Sequence, residues 1–95
     1  MDDNHPIDFS DLKNSIAFVN QEVLLLEDTI ENNITLSFNR ENIDYNKLQK
    51  VCELANLNDF INSKKENFKF NVGEFGNKVS IGQKQRIGIA RALYR

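Results

Sequence analysis

A single predicted β-strand among several predicted helices is the feature that most limits how this chain can fold. Residues 16–19 (Ile-Ala-Phe-Val) form a β-branched and aromatic run that is typical of a buried strand. A lone strand has no ladder partner, although its backbone N–H and C=O groups need one. We therefore predict that these 95 residues are part of a larger α/β domain and are not a self-contained fold.

Helical patterns dominate the rest of the chain. Asp28 is the predicted N-cap of a short helix, with Glu31 reaching back to complete a capping box. Asp44 is the predicted cap of a clearer helix over residues 44–55, in which apolar residues recur at helical spacing. A second short helix is predicted near residues 57–61, a loop over 63–69, a turn over 73–76 and a long helix over 80–95.

Composition excludes some classes of protein. The net charge is −2, so the chain is not a globally basic nucleic-acid binder. The one cysteine, Cys52, cannot form a disulfide within the chain, and its apolar neighbours predict a buried thiol. No apolar run approaches the ~18 residues that a membrane helix needs.

The segment 79–93 (Val-Ser-Ile-Gly-Gln-Lys-Gln-Arg-Ile-Gly-Ile-Ala-Arg-Ala-Leu) carries the strongest chemical signal. A small-residue turn leads into a helix, and a helix N-terminus presents unpaired N–H groups that favour phosphate. Ser80 offers a hydroxyl donor, Gly82 permits close approach to the backbone, and Lys84 and Arg86 add positive potential. These residues alone leave two interpretations open: an anion site, or a serine cap on a solvated amphipathic helix.

This segment resembles the signature motif of ATP-binding-cassette (ABC) ATPases, usually written LSGGQ, together with the helix that follows it. The resemblance implies that Ser80 and Gly82, with Gln83 nearby, contact the γ-phosphate of ATP held by a second cassette. Val79 and Ile81 depart from the pattern by replacing a leucine and the first glycine. A branched side chain at Ile81 restricts the backbone and predicts a weakened signature site.

Two further segments extend the resemblance to almost the whole chain. Residues 16–34 resemble the Q-loop region, where Gln21 takes the place of the glutamine that reaches the catalytic Mg²⁺ and water; Asn20 replaces the usual proline. Residues 73–76 (Gly-Glu-Phe-Gly) resemble an element of exporter-type cassettes that contacts the transmembrane domain, with Glu74 as the contact residue. This element favours exporters or flippases over importers.

The resemblance implies a partial P-loop NTPase of the α/β class, mostly a helical subdomain with a short core strand. Its expected parts are a core strand and Q-loop at about 8–27, a helical subdomain at 28–72, and the Gly-Glu-Phe-Gly element, signature motif and following helix at 73–95. ATP and Mg²⁺ would be the cofactors of the intact protein, in which two cassettes would form a head-to-tail dimer. A transmembrane domain absent from this chain would hold the protein at the cytoplasmic face of a membrane. The sequence lacks a Gly-x-x-x-x-Gly-Lys-Ser/Thr motif, so we expect no ATP hydrolysis by the chain alone.

Other classes compete with this interpretation. DNA-repair and chromosome-type ABC ATPases share a related signature, but long coiled coils separate their motifs, and no sustained heptads lie between Gln21 and Gln83. A small interaction module could instead use the basic residues at the end of the chain, with a steep salt dependence if it bound DNA. For the isolated chain we expect low stability and a tendency to aggregate, because Phe18, Ile87 and Leu93 would lack the core sheet on which they pack.

Overall fold

The computed structural model describes residues 23–37 and 42–95 and is mostly helical there. Its helices are α1 (Ile30–Thr35), α2 (Tyr45–Leu54), α3 (Asn58–Asn62) and α4 (Ile81–Tyr94), with short 3₁₀ turns at Asn67–Lys69 and Glu74–Gly76. The predicted strand at 16–19 lies outside the described residues. Within them, extended pairing is limited to an isolated antiparallel bridge between Thr29 and Asn71.

The start of α1 differs from the prediction. Thr29, not Asp28, is the N-cap, and its Oγ1 accepts a hydrogen bond from the Asn32 N–H at 3.1 Å. Asp28 lies one residue earlier, where its carboxylate accepts from the Thr29 N–H at 2.7 Å. The helix begins later because the backbone around Thr29 pairs with residues 70–72: the Ile30 N–H donates to the Phe70 carbonyl at 2.9 Å.

Glu31 also departs from its predicted capping role. Its side chain is only 5% exposed, and its carboxylate accepts hydrogen bonds from Lys69 Nζ at 2.8 Å and from the Tyr45 hydroxyl at 3.1 Å. A buried carboxylate requires such partners, because its desolvation is costly without them. Glu31 therefore connects α1 to α2 and to the first 3₁₀ turn.

The predicted positions of the later helices are confirmed. Asp44 caps α2 by accepting from the Lys47 N–H at 3.1 Å, and α3 and α4 lie where the apolar spacing predicted them. At the far end of α4, the Tyr94 hydroxyl accepts from the Asp44 N–H at 3.2 Å, which joins α4 to the start of α2. α4 packs against both α1 and α2.

One core contains the buried apolar side chains of all four helices and of the segments that flank them. Its members are Leu25, Ile30, Ile34, Leu48, Val51, Cys52, Ala55, Leu57, Ile61, Val72, Ile87, Ala90 and Leu93. Ile87 and Leu93 are buried in this core, with α1 and α2 packed against α4, while the low stability expected of the isolated chain stays a prediction. No helix in the described part of the chain is long and apolar enough to cross a bilayer.

Candidate nucleotide-contact site

The N-terminus of α4 is closed by a reciprocal capping box. Ser80 Oγ accepts from the Gln83 N–H at 3.1 Å, and Gln83 Oε1 accepts from the Ser80 N–H at 2.8 Å. The spacing Ser-x-x-Gln is the sequence signature of this arrangement. From the sequence, Ser80 was considered as a cap without Gln83 as its reciprocal partner. Ser80 and Gln83 thus contact each other through the capping box, and Ser80 lies at the exposed end of the helix.

Two backbone donors stay open at this end of α4. The first turn of a helix has N–H groups without intrahelical acceptors. Here the Lys84 N–H is the first that donates to an intrahelical acceptor, the Ser80 carbonyl, at 2.9 Å. The Gln83 N–H donates to Ser80 Oγ. No described residue accepts from the N–H groups of Ile81 and Gly82, and the first turn contains no acidic side chain. Such a helix end suits an incoming phosphate.

Gly82 faces open space. A Cβ placed on it would come no closer than 4.0 Å to another heavy atom beyond its immediate surroundings, that atom being Ser80 Oγ. Packing within the chain therefore does not require glycine here, and the free space lies beside the open N–H groups. Ile81, next to it, is 76% exposed, so an apolar side chain stands at this end of the helix.

The Gly-Glu-Phe-Gly element forms a tight turn just before α4. Gly73 has φ +85°, and a side chain on it would collide with the Asn77 side chain, so the turn requires glycine. Phe75 also has a positive φ, 53°, and is 70% exposed. Glu74 is exposed beside it. The turn thus presents an acidic and an aromatic side chain to solvent at positions 74 and 75.

A network at the other side of α4 joins it to the segment before α1. The Arg91 guanidinium donates through Nε to the Asn33 carbonyl at 2.8 Å and through Nη2 to the Leu24 carbonyl at 3.1 Å. Burial and the nearby Arg95 lower the pKa of Arg91. Asn33 is fully buried; its side chain accepts from the Leu26 N–H at 2.9 Å and donates to the Leu26 carbonyl at 3.0 Å.

The sequence pattern indicated neither member of this network. Asn33 directly follows another asparagine, and Arg91 is one of several basic residues at the end of the chain, so their sequence neighbours do not distinguish them. The inward role of Arg91 weakens the interpretation of the basic end as a nucleic-acid surface, because its guanidinium is already bonded to backbone carbonyls.

Gln21, the predicted catalytic and Mg²⁺-binding residue, lies outside the described residues. Within residues 23–37 and 42–95, no three His, Cys, Asp or Glu side chains cluster as metal ligands. The donors that the described part offers, N–H groups and a hydroxyl at the start of α4, suit phosphate oxygens and not a cation.

Comparison with known proteins identifies the family. A family model described as ABC transporter matches residues 1–95. The chain belongs to the ABC transporter family. Among similar ABC proteins, the ATP-dependent lipid A-core flippase of Cupriavidus metallidurans is 39% identical over 97 residues, covering 98% of this chain and 16% of the flippase. The ABC-type transporter MDR1 of Aureobasidium melanogenum is 46% identical over 80 residues, covering 84% of this chain and 6% of that protein.

A solved ABC exporter also shares the fold. A bacterial Atm1-family ABC exporter with ATP bound matches with a TM-score of 0.69 and 36% identity, over 80% of this chain and 13% of the exporter. The exporter-type resemblance is thereby confirmed, and the fold is that of part of an ABC ATPase. The chain spans about a sixth or less of the length of these ABC relatives.

Proposed function

We propose that this chain is a segment of the ATP-hydrolysing subunit of an ABC exporter or lipid flippase. In this role Ser80, Gly82 and Gln83 contact ATP held by a second cassette, arranged head to tail. The observation that carries the proposal is the open helix end: two free N–H groups, an exposed hydroxyl and an unobstructed glycine lie together without a carboxylate.

Each residue has a distinct part in this proposal. The N–H of Gly82 and the Ser80 hydroxyl proton donate to γ-phosphate oxygens, where fixed donors stabilise developing charge. Gln83 holds Ser80 in place through the capping box, so that the hydroxyl oxygen accepts from the helix while its proton stays available. Bound ATP with Mg²⁺ supplies the phosphoryl chemistry.

The remaining assignments concern groups beyond α4. Gln21 is proposed to reach the Mg²⁺ and the attacking water from the Q-loop. Glu74, exposed in its turn, is proposed to contact a transmembrane domain, which would hold the cassette at the cytoplasmic face of the membrane. The flippase name of the Cupriavidus metallidurans relative and the similarity to a solved ABC exporter support export as the direction of transport.

Gly82→Ala in the full-length transporter tests the proposed contact. Alanine fits the open space and raises helix propensity by up to about 1 kcal/mol, so the fold should be retained. The added methyl group would occupy the place of the phosphate, and we expect the ATPase rate to fall at least about 100-fold. Gly88→Ala is unsuitable as a control because Gly88 is buried; Gln85→Ala, at an exposed position of the same helix, should leave the rate unchanged.

Two results would contradict the proposal. A folded Gly82→Ala transporter with the wild-type ATPase rate would exclude a close phosphate contact at this helix end. ATP hydrolysis by the purified 95-residue chain would exclude the predicted dependence on motifs that it does not contain.

A further inference from the structure

Charge is unevenly distributed along this chain. All 14 acidic residues lie in residues 1–74, whereas residues 75–95 carry five basic residues and no acidic one. Three of these five, Lys78, Lys84 and Arg86, lie within six positions of Ser80. A local concentration of positive charge in a chain of negative net charge points to an anionic partner at that place.

Two of the three cations lie one helical turn behind the residues proposed to contact phosphate. Lys84 follows Ser80 by four positions, and Arg86 has the same spacing from Gly82. Cα–Cβ bonds in a helix tilt towards its N-terminus, so long side chains at these positions lean towards the open end of α4. One turn rises about 5.4 Å, which is less than the Debye length of about 8 Å at physiological salt. Their charges are therefore only partly screened from a phosphate at the helix end.

The stems of the two lysines pack on the glycines of the Gly-Glu-Phe-Gly turn. A Cβ placed on Gly76 would lie 3.1 Å from Lys84 Cε. A Cβ placed on Gly73 would lie 2.9 Å from Lys78 Cγ. Lys84 is only partly buried and Lys78 is exposed, so the stems are packed while the ammonium groups can stay in water. The turn thus restrains two positive charges on the side of α4 from which it leads into the helix.

No described carboxylate neutralises these cations. In the part of the chain that the structure describes, the ion pair joins Lys69 to Glu31, and Lys78, Lys84 and Arg86 form none. A helix N-terminus already carries partial positive charge, so cations beside it slightly disfavour the fold. Stability therefore does not account for these residues, whereas a polyanion arriving from outside the chain does.

We propose that Lys78, Lys84 and Arg86, the basic rim, attract the triphosphate of ATP held by the second cassette and thereby accelerate closure of the two cassettes. This inference rests on the proposed function and adds a role for charge that acts before contact. Complementary charge at an association surface raises the rate of productive approach and makes that rate sensitive to salt. The hydrogen bonds of Ser80 and Gly82 then form in the closed state.

The double variant Lys84→Gln/Arg86→Gln in the full-length transporter tests this role. Glutamine keeps a polar side chain of good helix propensity but removes the charge. ATP-induced closure, followed by energy transfer between dyes on the two cassettes, should be about fivefold slower than in wild type at about 50 mM salt. The control Lys50→Gln/Lys65→Gln makes the same change in net charge at exposed positions of other segments and should close at the wild-type rate.

Salt concentration separates attraction from structural damage. At about 500 mM salt the rim should be screened, and the double variant should close within about twofold of the wild-type rate. A damaged helix would instead slow closure at both salt concentrations. Wild-type closure at low salt, or equally slow closure at both concentrations, would overturn the inference. The melting temperature of the variant without nucleotide should equal or slightly exceed that of wild type, since the lost cations lie at a helix N-terminus.

Two further measurements keep the inference testable if the double variant fails to fold. Closure of the wild-type transporter should slow at least about fivefold between about 50 and 500 mM salt, and a salt-independent rate would overturn the inference. Lys78→Gln, which lies outside α4, should slow closure about twofold at low salt only, and a wild-type rate there would also contradict it.

The same experiment identifies the partner of the rim. Association of the cassettes without ATP should be unaffected by the double variant, because the rim is proposed to meet a triphosphate. Equal slowing with and without ATP would overturn the inference and indicate an acidic surface of another macromolecule. If Gly82→Ala lowers the ATPase rate but the rim variant closes as wild type does, only this inference fails. An unaffected Gly82→Ala transporter indicates failure of the proposed function itself.

Discussion

Ser80 and Gln83 satisfy each other's backbone N–H groups at the start of α4, the serine through its hydroxyl oxygen and the glutamine through its side-chain carbonyl. This pairing places the Ser80 hydroxyl at an exposed helix end in a defined position. Capping and phosphate contact make different demands on the side chain at position 80. The two demands can therefore be separated by substitution.

Ser80→Asp is the substitution that separates them. Aspartate caps helices about as well as serine, so the unfolding free energy of the 95-residue chain should change by less than about 0.5 kcal/mol. In the full-length transporter its negative charge would repel the γ-phosphate, and the ATPase rate should fall at least about 100-fold. Ser80→Ala is the companion variant, which loses both roles and about 1 kcal/mol of stability. An active Ser80→Asp transporter would exclude Ser80 from the phosphate site.

Ile81→Gly tests whether the exposed isoleucine hinders closure on ATP. Restoring the small residue of the signature pattern should raise kcat/KM for ATP hydrolysis about threefold to tenfold in the full-length transporter. This rise corresponds to a transition-state free energy lowered by about 1 kcal/mol. The same change should cost the chain up to about 1 kcal/mol of stability, because glycine is a poor helix former. Ile81→Ala, which removes the branched side chain but keeps helix propensity, is the control. An unchanged rate in both variants would show that Ile81 is harmless.

Asn33→Leu should be among the most destabilising single changes in this chain. It removes the buried amide that pairs with the Leu26 N–H and carbonyl through partly buried hydrogen bonds, and a backbone group left unsatisfied costs up to about 1–3 kcal/mol. We expect a loss of about 2–4 kcal/mol in the unfolding free energy, measured by urea titration. The adjacent Asn32→Ala loses one part-buried hydrogen bond, from Asn32 Nδ2 to Asp28 Oδ1 at 2.8 Å, but gains helix propensity, and should cost less than about 1 kcal/mol. Equal losses for the two variants would contradict the role given to Asn33.

Cys52 should make the stability of the chain depend on pH in the alkaline range. Burial raises the pKa of its thiol to about 12, above the unfolded value near 9.0. The contribution of the buried thiol to stability is therefore fully present and independent of pH below about pH 9, and it is lost as the pH rises from about 9 towards 12, because the unfolded chain then releases the proton first. The difference in unfolding free energy between wild type and Cys52→Ala, measured from pH 7 to 10.5, isolates this slope. A pH-independent difference would show that the thiol ionises freely in the folded state.

The sequence predicted the helices well because their signals are local. Asp44 and Ser80 are caps next to apolar residues at helical spacing, and both helices begin where these residues predicted. The start of α1 was wrong because it is fixed by backbone pairing of residues 28–30 with residues 70–72, a contact between distant parts of the chain. Periodicity does not report such a contact.

The candidate site shows the same division between local and distant signals. The residues at the start of α4 could be chosen from the motif, since Ser80, Gly82 and Gln83 are adjacent in sequence. The Arg91 network could not be predicted from the sequence, because its acceptors are main-chain carbonyls, which every residue has. Only the fold determines which carbonyls an arginine side chain meets.

The bridge between Thr29 and Asn71 has an evolutionary consequence. The Ile30 N–H to Phe70 carbonyl bond and the Val72 N–H to Asp28 carbonyl bond, on either side of it, bring the entry and exit of the segment containing α1 to α3 side by side. Changes in loop length, or substitutions at exposed positions, between α2 and the first 3₁₀ turn would thus leave the two anchoring ends in place. This region can therefore change as a module, provided that its buried side chains and the surface facing α4 are kept.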